Sequence, residues 1–201
     1  MAKVPLTAPL AVALLSYYDV LSRWNAKMNL TSLRDEEEAF DRLLLEPVAA
    51  ARALPSGARL MDLGSGGGSP GIPLALALDA SELVMVESKA RKTAFLREAA
   101  RSVGVNATVE TTRFEDLVTR PVYAGGMDVV SMRAVRMDPA SLETAGKFTR
   151  ESGVLALFVT TGTQIASGEE FHLVGRYPLV ANAELLTLGR PRLNVPRGTQ
   201  I

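Results

Sequence analysis

Asp62 stands near the end of an apolar run, Leu60–Leu63, and two residues later a glycine-rich turn begins: Gly64-Ser65-Gly66-Gly67-Gly68-Ser69-Pro70-Gly71. Such a turn lets a polar ligand approach the backbone closely, and in an open α/β sheet it falls at the carboxyl end of a strand. The acid selects among ligands. A carboxylate there repels a pyrophosphate and attracts an ammonium or a sulfonium, the charges of S-adenosylmethionine. Glu87 ends the next apolar run, Leu83–Val86. An acid at that point is placed to accept hydrogen bonds from a ribose diol. Asp62, Gly64, Gly66, Gly68 and Glu87 are therefore the candidate cofactor residues. A nicotinamide fingerprint wants glycine at 64, 66 and 69, but position 69 is serine. No hydride-transfer constellation accompanies the turn.

The rest of the chain narrows the chemistry. Its 201 residues contain no cysteine and a single histidine, His172. That excludes disulfides, thiolate metal sites, cysteine nucleophiles and histidine-rich metal sites; no metal is expected. Pyrimidine C5 methylation, which needs a covalent nucleophile, does not fit. The Asp/Asn-Pro-Pro-aromatic loop that serves exocyclic amines is absent after 128–132, where Ser131-Met132-Arg133 stands. Arg133, at the end of a fourth strand, is the candidate catalytic residue. Its guanidinium suits a methionine carboxylate or the hydrogen-bonding edge of an acceptor. At a cleft mouth its loss should affect catalysis more than folding; as a plain surface residue it would pair with Asp116 or Glu115.

The elements that position these residues follow from periodicity. Leu10, Leu14, Tyr17, Leu21, Trp24 and Met28 line one helical face. Trp24 and the tyrosines beside it read as core. Asp35 reads as the N-cap of a second helix reaching about Ala53, with Glu36–Glu38 in its first turn. From residue 58, strands at 60–63, 83–86, 107–110, 128–132 and 153–159 alternate with helical stretches at 71–79, 89–103 and 138–149. Ser88 is the expected cap and Gly104 the expected stop of the 89–103 helix. Alternation of this kind gives a mostly parallel sheet with right-handed crossovers. Segments 171–180, which carries His172 as a strand residue, and 184–189 read as a closing antiparallel pair, and Arg190–Ile201 as a mobile or surface-draped tail. The expected organisation is a helical cap over 1–57, a catalytic domain over 58–190 and a tail over 191–201.

With these motifs assembled, the chain resembles the small-subunit ribosomal RNA methyltransferase G family, also called glucose-inhibited division protein B. The resemblance rests on Trp24-Asn25-Ala26-Lys27-Met28-Asn29-Leu30-Thr31-Ser32-Leu33-Arg34-Asp35, on Asp62 through Leu74, and on Glu87-Ser88 ahead of Arg91-Lys92 and Phe95-Leu96. It continues through Arg113-Phe114-Glu115 and Asp128 through Val135, with order and spacing kept over about residues 10–160. It implies a class I S-adenosylmethionine-dependent methyltransferase fold, Rossmann-like with a mostly parallel seven-stranded sheet and an N-terminal helical extension. It also implies guanine N7 of 16S ribosomal RNA as acceptor. Gly64, Ser69, the Phe114–Glu115 backbone and Arg133 would then contact the cofactor. The sequence departs from the family at Leu43, where histidine is common, at Glu46-Pro47, where Asp-Ser is common, and at Val159, where lysine often ends the fifth strand. Pro196–Thr199 matches the C-terminal motif only faintly.

Net charge is zero, so an RNA partner would have to be held by a local basic track rather than by the whole-molecule field. Asn29, Arg34 and Arg136 are the candidate substrate contacts, with Lys27, Arg91, Lys92 and the tail arginines beside them; ordinary solvated positions are the alternative. No apolar run approaches the length of a membrane span, and Leu10–Leu15 lacks the basic flank of a signal peptide. The expected protein is a cytoplasmic monomer acting on 16S ribosomal RNA or a small-subunit precursor. A class I methyltransferase of another RNA or a small molecule, and a non-catalytic S-adenosylmethionine-binding protein, remain open alternatives. A dinucleotide oxidoreductase is the most remote.

Overall fold

The computed structural model describes residues 6–31, 35–165, 170–180 and 182–190. Helix α1, Ala8–Met28, starts at Thr7, whose hydroxyl accepts from the Leu10 amide, and ends at Asn29 in the left-handed conformation. Its buried face is Leu14, Tyr17, Val20 and Leu21. Asp35 caps the next helix through the Glu38 amide at 2.8 Å, as its sequence pattern predicts. That helix is not uniform. It runs as α2, Glu36–Phe40, then a π turn, Asp41–Leu45, then α3, Glu46–Ala51.

The sheet comprises β1, Arg59–Leu63; β2, Glu82–Val86; β3, Ala107–Glu110; β4, Met127–Arg133; β5, Thr149–Thr160; β6, His172–Pro178; and β7, Ala183–Gly189. The strand order is β3-β2-β1-β4-β5-β7-β6. The first five strands pair in parallel, and β7 pairs antiparallel with both β5 and β6. His172 is therefore a strand residue. The crossovers are α4, Gly71–Leu78; α5, Ala90–Ser102; the short α6, Phe114–Leu117; and α7, Pro139–Phe148. β1, β2 and β4 are buried on both faces, as parallel strands covered by helices must be. One core joins the sheet to α1, α4 and α5, and the other lies under α6 and α7. Tyr17 is fully buried, Tyr18 packs on Phe40 and Trp24 packs edge-on against Phe95, all within or against the first core.

Strand order reverses between β1 and β4, where Asp62 lies opposite Ser131 and Leu63 opposite Met132. This switch point opens a crevice at the strands' carboxyl ends, the usual place for a ligand in such sheets.

Three local expectations are corrected. Ser88 does not cap α5; Lys89 holds the N-cap position, without a side-chain bond, and Ser88 turns to the Glu87 carboxylate at 3.4 Å. β5 starts at Thr149 rather than at Gly153. Its first residues pair with Met127 before a register shift, and at Gly153 a side chain would strike the Met127 and Asp128 carbonyls. Of the expected tail, Arg190 is tied down, donating to the Gly146 carbonyl at 3.0 Å and lying over Phe171. The remainder lies outside the described residues.

Candidate active site

The glycine turn is built backwards from β2. The Gly64 and Ser65 amides both donate to the Val86 carbonyl, at 2.9 and 3.0 Å, which folds the chain sharply as it leaves β1. Gly64 has φ +74°, and a side chain there would lie 2.6 Å from Val135. Only glycine meets both conditions. Gly68 serves packing instead: a side chain there would press on Tyr17, Ile72 and Leu96.

Glu87 stands at the end of β2 with its carboxylate turned to the turn. Oε2 accepts from the Gly66 amide at 3.1 Å and Oε1 from the Lys89 amide at 2.9 Å. A carboxylate held by two backbone amides is oriented and still has lone pairs for a diol.

Asp62 lies beneath the turn, 1% exposed. Its Oδ1 accepts from the Ser131 hydroxyl at 2.7 Å, while Oδ2 has no hydrogen-bond partner. Burial pushes its carboxyl up to about 6; the Ser131 and Ser65 hydroxyls and the Arg133 charge oppose that.

Three cavities follow one another along the carboxyl edge of the sheet. The first, about 180 Å³, is bounded by Gly64, Glu87, Ser88, Arg113, Phe114 and Glu115. The second, about 260 Å³, shares Gly64 and Glu87 with it and adds Gly66, Gly67, Ser69, Lys92 and Arg133. The third, about 460 Å³, shares Arg133 and Ala134 with the second and reaches Arg42, Glu46, Phe158, Val159, Thr160 and Asn182. The sequence-predicted Gly64, Gly66, Ser69, Glu87, Phe114, Glu115 and Arg133 thus line adjoining cavities along one edge of the sheet. Asp62 and Gly68 sit behind their wall.

Arg133 stands where the second and third cavities meet. It does not pair with Asp116 or Glu115. Its Nη2 donates to Glu46 Oε2 at 2.9 Å, its Nη1 to the Arg42 carbonyl and, at 3.4 Å, to Ser69 Oγ, and its guanidinium lies 4.7 Å over the Phe158 ring. The side chains of Arg133 and Glu46 are 12% and 3% exposed. Burial raises the Glu46 carboxyl, and the Arg133 and Arg42 charges pull it back. Such a pair fixes geometry more than it adds stability. The next residue, Ala134, has φ +53°, a conformation that L side chains rarely adopt.

Asn29 is the C-cap of α1 and does not line the crevice; Leu30 and Thr31 beside it do. Arg136 is 86% exposed, paired with Asp138 at 3.0 Å. Arg34 lies outside the described residues. The departures Glu46 and Val159 line the third cavity, and Leu43 the second.

Sequence reasoning missed Tyr17 and Glu46. The Tyr17 hydroxyl donates to the Gly67 carbonyl at 2.5 Å, so α1 directly braces the glycine turn. Tyr17 carries no sequence signal beyond its place on the apolar face. For Glu46 a signal existed, an acid inside an otherwise apolar stretch of the second helix.

Among the described residues no group of three His, Cys, Asp or Glu side chains is placed to hold a metal. No helix there is long and apolar enough to cross a membrane.

Comparison with known proteins agrees with this geometry. Residues 11–165 match the family described as rRNA small subunit methyltransferase G. The chain is 40% identical over 156 residues to a ribosomal RNA small subunit methyltransferase G of Stenotrophomonas maltophilia, covering 77% of this chain and 71% of that one. A protein of the same name from Xylella fastidiosa is 46% identical over 113 residues, covering 56% of this chain and 53% of that one. Among solved structures, a mutant of MtNAS in complex with S-adenosylmethionine aligns with a TM-score of 0.59 at 15% identity, over 90% of this chain and 72% of that one. The putative methyltransferase yhhF of Escherichia coli aligns at 0.57 and 11% identity, over 80% and 89%. At such identities these two establish the fold alone. The fold is that of class I S-adenosylmethionine-dependent methyltransferases, and by the sequence match the chain belongs to the rRNA small subunit methyltransferase G (GidB) family.

Proposed function

We propose that this protein methylates N7 of a guanine in 16S ribosomal RNA, acting as a cytoplasmic monomer on the RNA or on a small-subunit precursor. The observation that carries the reading is the row of three joined cavities with Glu87 at one junction and Arg133 at the other. Such a row accommodates a nucleoside, an amino-acid tail and an acceptor base in sequence. S-adenosylmethionine, when bound, supplies an electrophilic methyl group on a sulfonium. The residues fit that donor. Glu87, already oriented by two amides, accepts from the ribose hydroxyls. The Phe114–Glu115 segment bounds the adenine end. Gly64, Gly66 and Gly67 offer close backbone approach for the tail. The buried Asp62 carboxylate contributes a negative field from beneath the turn rather than a direct contact.

Guanine N7 presents an available lone pair, so no residue need remove a proton before attack. The protein's task is alignment and exclusion of water. Arg133, pinned at the junction between donor and acceptor cavities, is the group that orients the guanine edge. Thr160 and Asn182 provide a polar rim. Asn29 and Arg136, which lie outside the crevice, and Arg34 are assigned to the RNA strand.

Two experiments test the reading. Calorimetry should show binding of S-adenosylmethionine and S-adenosylhomocysteine, and tighter binding of NAD would overturn it. Mass mapping of 16S RNA from cells with and without the protein should differ at one guanine. Identical maps, with cofactor binding intact, would favour a different acceptor. The residues that depart from the family and line the crevice, Leu43, Glu46 and Val159, would then be the first to examine.

A further inference from the structure

Pro47 has no amide hydrogen, and it stands inside a helix. In the α register the Leu43 carbonyl would accept from residue 47; in the π register the Arg42 carbonyl would. Neither register satisfies both. The Glu46 amide, the remaining helical donor for Arg42, goes instead to the Asp41 carbonyl. The Arg42 carbonyl is thus left without a helical donor, the Leu43 carbonyl loses its α-register one, and both accept from side chains of the methyltransferase core. Ser69 Oγ donates to the Leu43 carbonyl at 2.8 Å, and Arg133 Nη1 donates to the Arg42 carbonyl. Those two donors are the serine that closes the glycine turn and the arginine at the end of β4. They also touch each other, at 3.4 Å. One turn further along, Glu46 completes the hold on Arg133.

We propose that the π turn and Pro47 form a clamp, freeing two adjacent carbonyls of the helical cap so that they lock Ser69 and Arg133 into the cofactor site. Pro47 is thus a positioning residue although it touches no ligand. The role assigned to the clamp rests on the cofactor reading above; the tether itself does not. π turns recur at functional sites because they present backbone groups a regular helix would consume.

The tether is tested without ligand by a double-mutant cycle in urea unfolding. Pro47→Ala restores an amide and with it the α register, in which residue 47 donates to the Leu43 carbonyl in place of Ser69. Ser69→Ala should then lower the folding constant roughly five- to tenfold in wild type and leave it nearly unchanged in the Pro47→Ala background. Equal effects in both backgrounds overturn the clamp whatever the protein binds. If Pro47→Ala does not fold, Pro47→Ser, which restores the same amide, takes its place. The second arm is calorimetry with S-adenosylhomocysteine. Pro47→Ala should bind roughly three- to tenfold more weakly while melting no lower than wild type. Unchanged affinity overturns the clamp's role at the site. Coupling without any binding by the wild type would refute the cofactor reading and the clamp's role with it, and leave the tether standing.

Discussion

Replacing Asp62 with asparagine removes a buried carboxyl that folding places at a disadvantage. Burial raises its pKa from 3.8 to about 6. The folded protein therefore holds the proton more tightly than the unfolded chain does. That gain in stability is complete below the unfolded pKa and is lost as pH rises through about 6. About two units, each worth ~1.4 kcal/mol, give ~3 kcal/mol lost between roughly pH 4 and pH 7.5. Asparagine fits the same space, and its carbonyl retains the Ser131 bond. Its amide takes the place of Oδ2, which makes no full hydrogen bond but lies beside the Gly71 backbone. The assay is urea unfolding of both proteins across that range without ligand. Taking variant minus wild type cancels every other titration. The difference should move by ~3 kcal/mol in favour of Asp62→Asn as pH rises. A difference that stays flat would refute a raised Asp62 pKa. If the field of Asp62 attracts the cofactor, the same variant binds S-adenosylmethionine more weakly at neutral pH.

Tyr17→Phe keeps the ring in the core but leaves the Gly67 carbonyl without its donor; a loss of ~1–2 kcal/mol in urea unfolding is expected, with weaker S-adenosylhomocysteine binding, and an unchanged value would show that the contact is dispensable. Glu87→Ala frees the Gly66 and Lys89 amides and should weaken that binding by ~1–3 kcal/mol; calorimetry showing no change would remove Glu87 as the ribose ligand. Arg133→Ala, expected from sequence to spare folding, is now expected to cost ~3–5 kcal/mol because Glu46 is left buried with only Arg42, 4.0 Å away, as its partner. Melting should recover in part when Glu46→Gln is added, and no recovery would count against the pairing.

The fold was legible because parallel strands buried on both faces read as continuous apolar runs. Leu60–Leu63, Leu83–Val86 and Asp128–Met132 each fall within one residue or two of the observed strand. The glycine turn and its neighbouring carboxylate, the wall of the proposed cofactor site, were legible for a related reason: Gly64 is required by a steep turn, and Glu87 ends a strand whose register fixes where it points. What escaped was whatever depends on contact between distant segments. Tyr17 meets Gly67 across fifty residues, and Glu46 meets Arg133 across eighty-seven. The π turn escaped because Asp41–Leu45 has an ordinary helical pattern. Pro47 marked the irregularity, but carbonyls that accept from distant side chains have no signature until their donors are seen in place. Ser88 was misjudged because Glu87, one residue earlier, takes both its hydroxyl and the Lys89 amide.

The central claim is transfer of a methyl group to guanine N7 by positioning alone. It is tested most directly by incubating the purified protein and labelled S-adenosylmethionine with small ribosomal subunits, and with their free 16S RNA, from cells lacking this protein. Strand cleavage specific for N7-methylguanine then locates the label. Incorporation at a single guanine, with cleavage there and loss of label on Arg133→Ala assayed where that variant is still folded, is the predicted result. Bound cofactor with no label in either RNA, or label at a position that resists cleavage, would contradict it.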